Sequence, residues 1–382
     1  MKPRLLIFSS RTAHNAPRII REVNALAPAF EIYLTGSTPL KQDNVQENIH
    51  EDNHIPFFDR LVHYALRKVT RGRPLTWAFP FSLKRRARLV DRIRPDIIII
   101  HEPENMPYFT KLRDKYKFKL VFNAHEYYPL EFEDKPGWLE SAGKYYVNLY
   151  RKYLHRLDLL INVCDTIAKE CERYFGIPSL VIPNAALFRE NIAPIVTDTK
   201  GPIRIIQHGA CIRERNIELM IETAQLLGNS YVLDLMLMKS DPEYYGELCQ
   251  LAEKTENVRL IEPVSFNEIV PFINRYDIGL YYIKPGNFNN RAALPNKLFE
   301  FIQARLCTVV SPSVEMKNVV ESYNLGLAAD DFTAEAMALA VRRLTIQDIN
   351  YYKQNADKNA YRLSADFLSG MLLERMTALL KP

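Results

Sequence analysis

The chain has 382 residues, which is more than one hydrophobic core usually organises, so its length favours two domains. Hydrophobic residues make up 47%, charged residues 25% and the formal net charge is +5, a globular composition that excludes a disordered chain. No apolar run reaches the ~18 residues of a membrane span, and the start Met1-Lys2-Pro3-Arg4 is not that of a signal peptide, so we expect a soluble, intracellular protein.

Short apolar segments alternate with helical patterns along nearly the whole chain, which is typical of βα units and parallel sheets. In the first half, strands are predicted at 5–9, 30–34, 97–101, 120–124, 159–163 and 180–182. In the second half they are predicted at 203–208, 232–236, 258–261, 278–282, 308–311 and 326–329. Because the series starts twice, we predict two sheets.

Residues 191–202 form a polar stretch with Pro194 and Gly201, which predicts a linker. We therefore expect a first domain over 1–190 and a second over 203–365. Ser265 with Glu268 three residues later predicts a capping box at a helix start, and the periodicity after residue 350 is helical.

The cysteines are scattered and odd in number, so neither a disulfide framework nor a zinc cluster is indicated. They are Cys164, Cys171, Cys211, Cys249 and Cys307. We predict buried, reduced thiols.

The segment 60–94 has a large excess of cations and interleaved apolar residues. Its cations include Arg60, Arg67, Lys68, Arg71, Arg73, Lys84, Arg85, Arg86, Arg88, Arg92 and Arg94. The segment predicts either a solvated helix face or docking on anionic lipid, where each basic residue contributes about 1 kcal/mol. Nucleic-acid binding is disfavoured because no recognition motif accompanies the charge.

Residues 295–300 come after a predicted strand of the second domain, where ligands of open α/β sheets bind. Pro295 suits the first helical turn, so Asn296, Lys297 and Leu298 would present backbone N–H groups at a helix start. Such a start with a lysine predicts a pyrophosphate site. Glu300 could accept hydrogen bonds from a ribose diol, although Lys297 and Glu300 could also form an ordinary surface pair.

The run Tyr276-Asp277-Ile278-Gly279-Leu280, followed after a polar loop by residues 295–301, resembles the donor-site signature of the family-four retaining glycosyltransferases of bacterial surface polysaccharide synthesis. The resemblance continues through Gln207-His208-Gly209-Ala210, Arg215 and the segment 158–184. It implies the GT-B fold, an α/β architecture with two Rossmann-like domains facing a central cleft and a C-terminal helix over 366–382 that packs back on the first domain.

The same resemblance assigns functional residues in both domains. In the donor site, Gly209 would line the phosphates, Arg215 and Lys297 would neutralise the diphosphate, and Glu300 would hold the ribose. Asn123-Ala124-His125-Glu126 resembles the motif whose histidine faces the reacting sugar, so His125 would bind a sugar hydroxyl or orient the acceptor, with Glu126 steering it. Further donor or acceptor contacts are expected from Arg18, Asn290 and Arg291, and from His101, Pro263 and Val264 because they follow strands, with a structural role as the alternative for His101.

Two departures from the family concern the sugar end of the donor. Relatives often carry a glutamate eight positions before the one that matches Glu300, where this chain has Ala292. Relatives also often have a Gly-Gly loop after the first strand, where this chain has residues 10–18 and Arg18 could replace some of its function. The glycine fingerprint of dinucleotide enzymes is absent, which argues against a nicotinamide cofactor.

We therefore expect a retaining transferase that uses a UDP- or GDP-linked sugar as co-substrate and no other cofactor. No Asp-x-Asp motif follows a strand, so a metal-free mechanism is expected, and the resemblance implies that the leaving phosphate helps to deprotonate the acceptor. The acceptor would be a glycan or a polyprenyl-diphosphate-linked sugar, and the cytoplasmic protein could bind the inner membrane face. The alternatives are a hydrolysing nucleotide-sugar 2-epimerase, with His125, Glu126 and Glu102 as its acids and bases, and a catalytically silent binding module.

Overall fold

The computed structural model describes residues 2–9, 17–36, 44–50, 58–59, 61–62, 65 and 78–381. The chain divides into two compact units. Unit 1 comprises Met1–Pro183, Asn287–Asn289 and Ser369–Pro382, and unit 2 comprises Asn184–Gly286 and Asn290–Leu368.

Unit 1 contains a parallel sheet of seven strands in the described residues, in the order β3-β2-β1-β4-β5-β6-β7. The strands are β1 Arg4–Phe8, β2 Glu31–Gly36, β3 Glu47–His50, β4 Ile97–Ile100, β5 Lys119–Asn123, β6 Leu159–Asn162 and β7 Leu180–Val181. The helices are α1 Pro17–Leu26, α2 Pro80–Ile93, α3 Met106–Tyr116, α4 Lys144–Tyr153 and α5 Asp165–Phe175. The strand order reverses between β1 and β4, and ligands of such sheets bind outside the carboxyl ends of the strands at that point.

The core of unit 1 explains how its outer helices dock on the sheet. Ile19, Val23 and Leu26 are buried and lie on one face of α1, because they are spaced four and three residues apart. They join a cluster with Leu5 and Ile7 of β1. Leu372 and Met376 belong to the same cluster. The segment 369–381 is thus part of the first unit, as the family resemblance implied.

Unit 2 contains a second parallel sheet, of six strands in the order β10-β9-β8-β11-β12-β13. The strands are β8 Ile203–Ala210, β9 Tyr231–Met238, β10 Val258–Ile261, β11 Ile278–Tyr281, β12 Cys307–Val310 and β13 Gly326–Ala328. The helices after α5 are α6 Glu218–Leu227, α7 Pro242–Glu253, α8 Ile269–Ile273, α9 Phe288–Arg291, α10 Asn296–Gln303, α11 Val314–Ser322, α12 Ala334–Arg342, α13 Ile346–Asn359 and α14 Ala365–Ala378. The order reverses between β8 and β11.

The two predicted sheets are confirmed, and each of the twelve predicted strand segments overlaps an observed strand. The sequence reading missed β3, which pairs with β2 at the sheet edge. Its residues Glu47-Asn48-Ile49-His50 contain a single aliphatic side chain, so the apolar run that identifies a buried strand is absent.

The polar stretch read as a linker is packed within unit 2, which begins at Asn184. Thr197 is buried, its backbone N–H donates to Asn350 Oδ1 at 2.8 Å and its hydroxyl donates to Asp277 Oδ1 at 2.7 Å. These bonds tie the connection to β11 and α13, and they explain why a segment of loop composition has a fixed place.

The capping box of Ser265 and Glu268 is present and opens the helical segment that leads into α8. The cysteines are all free thiols, of which Cys249 is partly exposed and the other four are buried. Among the described residues, no helix is long and apolar enough to cross a membrane.

Candidate functional site

Gly209 lies near the carboxyl end of β8, beside the point where the strand order of unit 2 reverses. Its φ of +136° is one that L side chains rarely adopt. A Cβ atom at this position would lie 2.6 Å from Lys297 Cε, 3.3 Å from Lys297 Nζ and 3.2 Å from Arg215 Nη1. The missing side chain therefore lets two cations lie directly against the backbone of the strand end.

Lys297 reaches this point from the first turn of α10. Pro295 is the N-cap of α10, in an extended conformation, and the helix begins at Asn296, so the expectation that Pro295 would lie inside the first turn was wrong by one residue. Leu298 was also misjudged, because its N–H donates to the Pro295 carbonyl at 3.2 Å and its side chain is in the core. Asn296 and Lys297 are the residues whose N–H groups lack an intrahelical acceptor at this end.

Electrostatics at Lys297 are unfavourable for a cation. Burial lowers the pKa of Lys297, and the nearby Arg215 guanidinium lowers it further, whereas Glu300 raises it. An ammonium group held in such a place is stabilised when an anion binds beside it.

Arg215 ends a short 3-10 turn, Arg213–Arg215, and is followed by Asn216 in the left-handed conformation. Its Nη1 atom is buried and has no hydrogen-bond partner among the described residues. Arg213, two residues earlier, is exposed and makes two bonds to Glu247, at 2.8 and 2.6 Å. The turn thus directs Arg213 towards the carboxylate of Glu247 and Arg215 towards Gly209 near the end of β8.

Glu300 is one turn further along α10 and is 7% exposed, so it does not form a surface pair with Lys297. Its Oε2 atom lies 3.4 Å from His208 Nε2. Burial, together with Lys297 and Arg215, lowers the pKa of His208 to about 3, so the ring is neutral at physiological pH. The structure therefore brings Gly209, Arg215, Lys297 and Glu300 together, and it adds His208 as a neutral neighbour.

A second group of polar residues lies at the carboxyl ends of β4 and β5 in unit 1. His101 Nε2 is 2.9 Å from Glu22 Oε2, and His101 Nδ1 is 2.9 Å from His125 Nε2. Asn123 Nδ2 donates to Glu22 Oε1 at 2.8 Å, and Arg18 donates to Asn123 Oδ1. Burial lowers the pKa of Arg18 to about 10, and the Glu22 carboxylate opposes that shift, so Arg18 remains a cation.

Sequence reasoning selected three of the five members of this group as contacts and named Asn123 in the motif with His125, but it missed Glu22. Arg18, His101 and His125 were found because they follow strands or match a motif. Glu22 is in the middle of α1, far from any strand end in sequence. The signal that could have found it is its spacing of four residues from Arg18, which places both side chains on one face of a helix.

The remaining predicted contacts are placed as follows. Glu126 is exposed, and its Oε2 accepts from Asn289 Nδ2, a residue of unit 1, at 3.2 Å. Glu102 is buried and accepts from Ser9 at 2.9 Å and Asn105 at 3.1 Å, which ties it into the structure of unit 1. In unit 2, Pro263 and Val264 lie in the loop after β10, Asn290 and the exposed Arg291 end α9, and Ala292 is buried.

The basic segment is described only in part, and Arg60, Arg67, Lys68, Arg71 and Arg73 lie outside the described residues. In α2, Lys84, Arg88 and Arg92 are exposed, in agreement with a solvated or docking face.

Arg86 corrects the reading of the basic segment as one cationic face, because it is buried. Its Nη2 atom donates to Asn105 Oδ1 at 2.9 Å, and its guanidinium lies 4.2 Å from the ring centroid of Tyr108 and 5.0 Å from that of Phe8. Arg86 lies in the same helix as the exposed Lys84 and Arg88, but its side chain is part of the core of unit 1.

In the part of the chain that the structure describes, no three His, Cys, Asp or Glu side chains are grouped so as to hold a metal ion. The charged groups that converge at Gly209 are instead two cations and one carboxylate. This set suits an anionic ligand that also carries hydroxyl groups.

Comparison with known proteins gives a family match over part of the chain and a fold for nearly all of it. Residues 35–186 match the family model of Glycosyltransferase Family 4. No curated protein matches the sequence.

Solved structures resemble the chain over nearly its whole length. HepE from Anabaena in complex with UDP is 12% identical, covers 99% of this chain and 100% of its own, and has a TM-score of 0.70. Sucrose-phosphate synthase from Thermosynechococcus elongatus is 13% identical, covers 99% and 100%, and has a TM-score of 0.71. A structure described as trehalose-6-phosphate from E. coli bound with UDP-2-fluoro glucose is 13% identical, covers 97% of this chain and 98% of its own, and has a TM-score of 0.66. The chain therefore has the GT-B fold of these structures, and its residues 35–186 match the model of Glycosyltransferase Family 4.

Proposed function

We propose that the chain is a nucleotide-sugar-dependent glycosyltransferase that works with retention of configuration and without a metal ion. Unit 2 would bind a UDP- or GDP-linked sugar, and unit 1 would hold the acceptor through His125 and Glu126. The observation that carries this proposal is the convergence of Arg215 and Lys297 on Gly209, with Arg215 Nη1 buried and unpaired among the described residues.

Electrostatics favour a diphosphate at this point. Both cations come within 3.3 Å of the same position in space, the one a Gly209 Cβ would occupy, and like charges so close repel each other. The negative charges of two phosphate groups would offset the repulsion between the two cations, and the phosphate oxygens would accept hydrogen bonds from the guanidinium and the ammonium. Fixed cations of this kind stabilise the negative charge that develops on a leaving diphosphate, which is the task that a metal ion performs in other transferases.

Glu300 and the start of α10 complete the proposed donor site. The N–H groups of Asn296 and Lys297 add the positive end of a helix dipole to the phosphate position. The buried Glu300 carboxylate would accept hydrogen bonds from the ribose diol. The neutral His208 ring, whose Nε2 lies 3.4 Å from Glu300 Oε2, would lie beside the carboxylate without adding charge.

Titration calorimetry with UDP and with GDP tests the phosphate site. Arg215→Gln should weaken binding of the preferred nucleotide at least tenfold, because a charge-assisted hydrogen bond contributes about 1.5–3 kcal/mol. Arg213→Gln is the matched control, since Arg213 lies in the same turn but is paired with Glu247. Equal affinities for the two variants would contradict the assignment.

A panel of UDP- and GDP-linked hexoses, with and without lipid extract as acceptor source, tests the reaction. Released nucleotide together with a glycosylated acceptor of retained anomeric configuration supports the proposal. Isomerised free sugar would instead establish the epimerase, and a failure to bind any donor or nucleotide would leave a non-catalytic module. Activity that survives EDTA treatment supports the metal-free mechanism, whereas activity lost with EDTA and restored by a divalent cation contradicts it.

We further propose that unit 1 docks on anionic membranes, which would suit a polyprenyl-diphosphate-linked acceptor of polysaccharide synthesis. Phe58 is 53% exposed and Phe81 48% exposed, and their ring centroids are 5.1 Å apart. Lys84 and Arg88 are exposed on α2, the helix that also contains Phe81. Exposed aromatic rings next to cations are the composition of an interfacial anchor.

Flotation with vesicles containing anionic lipid tests the membrane proposal. Binding should decrease with added salt and be weakened by Phe81→Ser combined with Lys84→Glu. Phe132→Ser is the control, because Phe132 is another exposed aromatic residue of unit 1, remote in sequence from the basic segment. The absence of binding by the wild-type chain at low salt would refute this proposal and leave the solvated helix face.

A further inference from the structure

Unit 1 contains a cavity at the amino ends of β4 and β5, which we call the basal cavity. It is lined by residues 94–96, 116–117, 119 and 379–381, the last of which follow α14. Its volume is about 490 Å³, within the range of roughly 300–1,000 Å³ that is typical of small-molecule sites. Asp96 in its wall and His101 at the carboxyl end of β4 are five strand residues apart, or about 17 Å. The basal cavity is therefore separate from the histidine group of unit 1.

Positive charge predominates in the wall of the basal cavity. Its cations are Arg94, Lys117, Lys119 and Lys381. Its carboxylate is Asp96, which accepts from the backbone N–H of Arg4 at 2.7 Å and is thus engaged by the start of β1. The lining side chains carry three more positive charges than negative ones.

Two of the four cations are available to an anion. Arg94 and Lys119 are each paired with an aspartate, at 2.6 and 3.4 Å. Lys117 and Lys381 are exposed, and neither forms an ion pair with the residues that the structure describes. An anion in the cavity would therefore pair with both ammonium groups without displacing a carboxylate.

The helix ends beside the basal cavity carry more charge than their dipoles account for. Arg94 and Lys117 are the C-caps of α2 and α3, with φ of +54° and +60°, a left-handed conformation that favours glycine. Cations are favourable near helix C-termini, but the last turn of α2 already contains Arg92 and that of α3 contains Arg113 and Lys115. The cationic C-caps add charge to the cavity in place of a less strained residue.

The basal cavity also has apolar walls, which indicate what accompanies the anion. They are formed by Pro95, Tyr116, Leu379 and Leu380, and Leu380 is 36% exposed. An inorganic anion would leave these walls in contact with water, whereas an organic group attached to the anion would cover them.

We propose that the basal cavity binds a phosphate ester, with its phosphate on Lys117 and Lys381 and its organic part on Leu379 and Leu380. A phosphate monoester carries a charge of about −1.5 to −2 at pH 7, which matches two ammonium groups better than a carboxylate does. The site uses none of the donor-site residues, so this inference does not rest on the proposed transferase function.

Lysine acetylation of the full-length protein, read by peptide mass spectrometry, locates the site. Hexyl phosphate is the probe, since it joins a phosphate monoester to an alkyl chain. At about ten times its Kd it should slow acetylation of Lys117 and Lys381 about tenfold, because only the free fraction reacts. Lys144 and Lys169 are the internal controls, as exposed lysines of unit 1 outside the cavity, and should keep their rates. Protection of all four lysines alike, or of none, would overturn the proposal.

The two parts of the probe are separated by inorganic phosphate and hexanol. Inorganic phosphate should protect Lys117 and Lys381 only at higher concentrations than hexyl phosphate, and hexanol should not protect them. Equal potency of inorganic phosphate and hexyl phosphate would refute the contact with the apolar walls.

Vesicles distinguish the sources of the phosphate ester. Protection of Lys117 and Lys381 by vesicles containing phosphatidylglycerol, but not by phosphatidylcholine alone, would assign a lipid headgroup. Protection by hexyl phosphate without protection by either vesicle would assign a soluble ester.

Charge reversal gives an independent measurement by calorimetric titration with hexyl phosphate. Lys117→Glu combined with Lys381→Glu should weaken binding at least about tenfold, because two charge-assisted contacts are lost. Lys144→Glu combined with Lys169→Glu makes the same change in charge elsewhere on unit 1 and should bind as the unreversed protein does. All the proteins compared carry Arg215→Gln and Lys297→Met, which removes the cations of the donor site.

Thermal unfolding of each protein separates lost binding from lost folding. If the charge reversal in the cavity prevents folding, Lys117→Gln combined with Lys381→Gln replaces it and should still weaken hexyl phosphate relative to Lys144→Gln combined with Lys169→Gln. Equal affinities of the cavity variant and its control would overturn the proposal.

Discussion

Replacing Gly209 by alanine adds one methyl group at the point where Lys297 and Arg215 meet. The new Cβ would lie 2.6 Å from Lys297 Cε, whereas carbon atoms in contact are normally about 3.5–4.0 Å apart. The lysine must therefore withdraw by roughly 1 Å and take its ammonium group with it. Gly209 also has a φ of +136°, so alanine adds backbone strain of roughly 1–3 kcal/mol to the folded chain.

The expected effect on binding follows from the displaced ammonium. A charge-assisted hydrogen bond contributes about 1.5–3 kcal/mol, which corresponds to a loss of about ten- to hundredfold in affinity for UDP or GDP. Gly228→Ala is the matched control in the same unit, because Gly228 has a φ of +76° but its Cβ would meet nothing within 4 Å. The control should lower the unfolding temperature through strain alone and leave nucleotide affinity within about twofold.

Calorimetric titration with the preferred nucleotide, beside thermal unfolding, measures both effects. Lys297→Met serves as a second variant, since it removes the ammonium without adding a Cβ at Gly209, and it should weaken the nucleotide similarly. If Gly209→Ala lost stability as Gly228→Ala does but bound nucleotide as tightly as the wild type, the placement of the diphosphate over Gly209 would be wrong.

Three further outcomes are expected at other residues. Glu300→Ala should bind the preferred nucleotide more weakly than the wild type does, and it should bind the ribonucleotide and its 2′-deoxy analogue with equal affinity. If the variant kept the wild-type preference for the ribonucleotide, a contact between Glu300 and the ribose would be ruled out. The pKa of His208 is about 3 in the folded chain and about 6.5 in the unfolded chain. Between these pH values the unfolded chain binds one more proton than the folded chain, so His208 lowers the free energy of unfolding as the pH falls. Urea unfolding of His208→Gln should therefore lose less stability between pH 6.5 and 4.5 than the wild type, and an identical loss would contradict the shift. Arg86→Ala should destabilise unit 1 by about 3 kcal/mol in urea unfolding, because Asn105 loses a buried partner and two rings lose a cation, while an effect below about 0.5 kcal/mol would place the side chain in solvent.

The order of elements could be predicted from the sequence because it depends on local patterns. Runs such as Ile97–Ile100 are short, wholly aliphatic and bounded by polar residues, and this pattern needs no partner to be recognised. The strand β3 escaped prediction because an edge strand is covered on fewer sides and its side chains are selected less strongly for hydrophobicity.

The donor-site residues could also be chosen from the sequence, since Gly209, Arg215 and Lys297 each follow a strand or open a helix. Their distances could not, because 82 positions separate Arg215 from Lys297 and only the sheet order β8-β11 brings their elements together. The burial of Glu300 and of Arg86 was likewise undetermined, as helix spacing alone does not say which face meets the core.

The sequence by itself determined two series of βα units, the strand ends that carry polar residues and the segment that opens α10. Tertiary structure alone decided which of those residues meet. It placed Lys297 and Arg215 over a glycine that has no side chain to separate them, and it brought Glu22 of α1 against His101 after β4. The physical reason is that local patterns report whether a side chain is buried, whereas the orientation of a hydrogen bond or ion pair depends on which elements the fold makes neighbours.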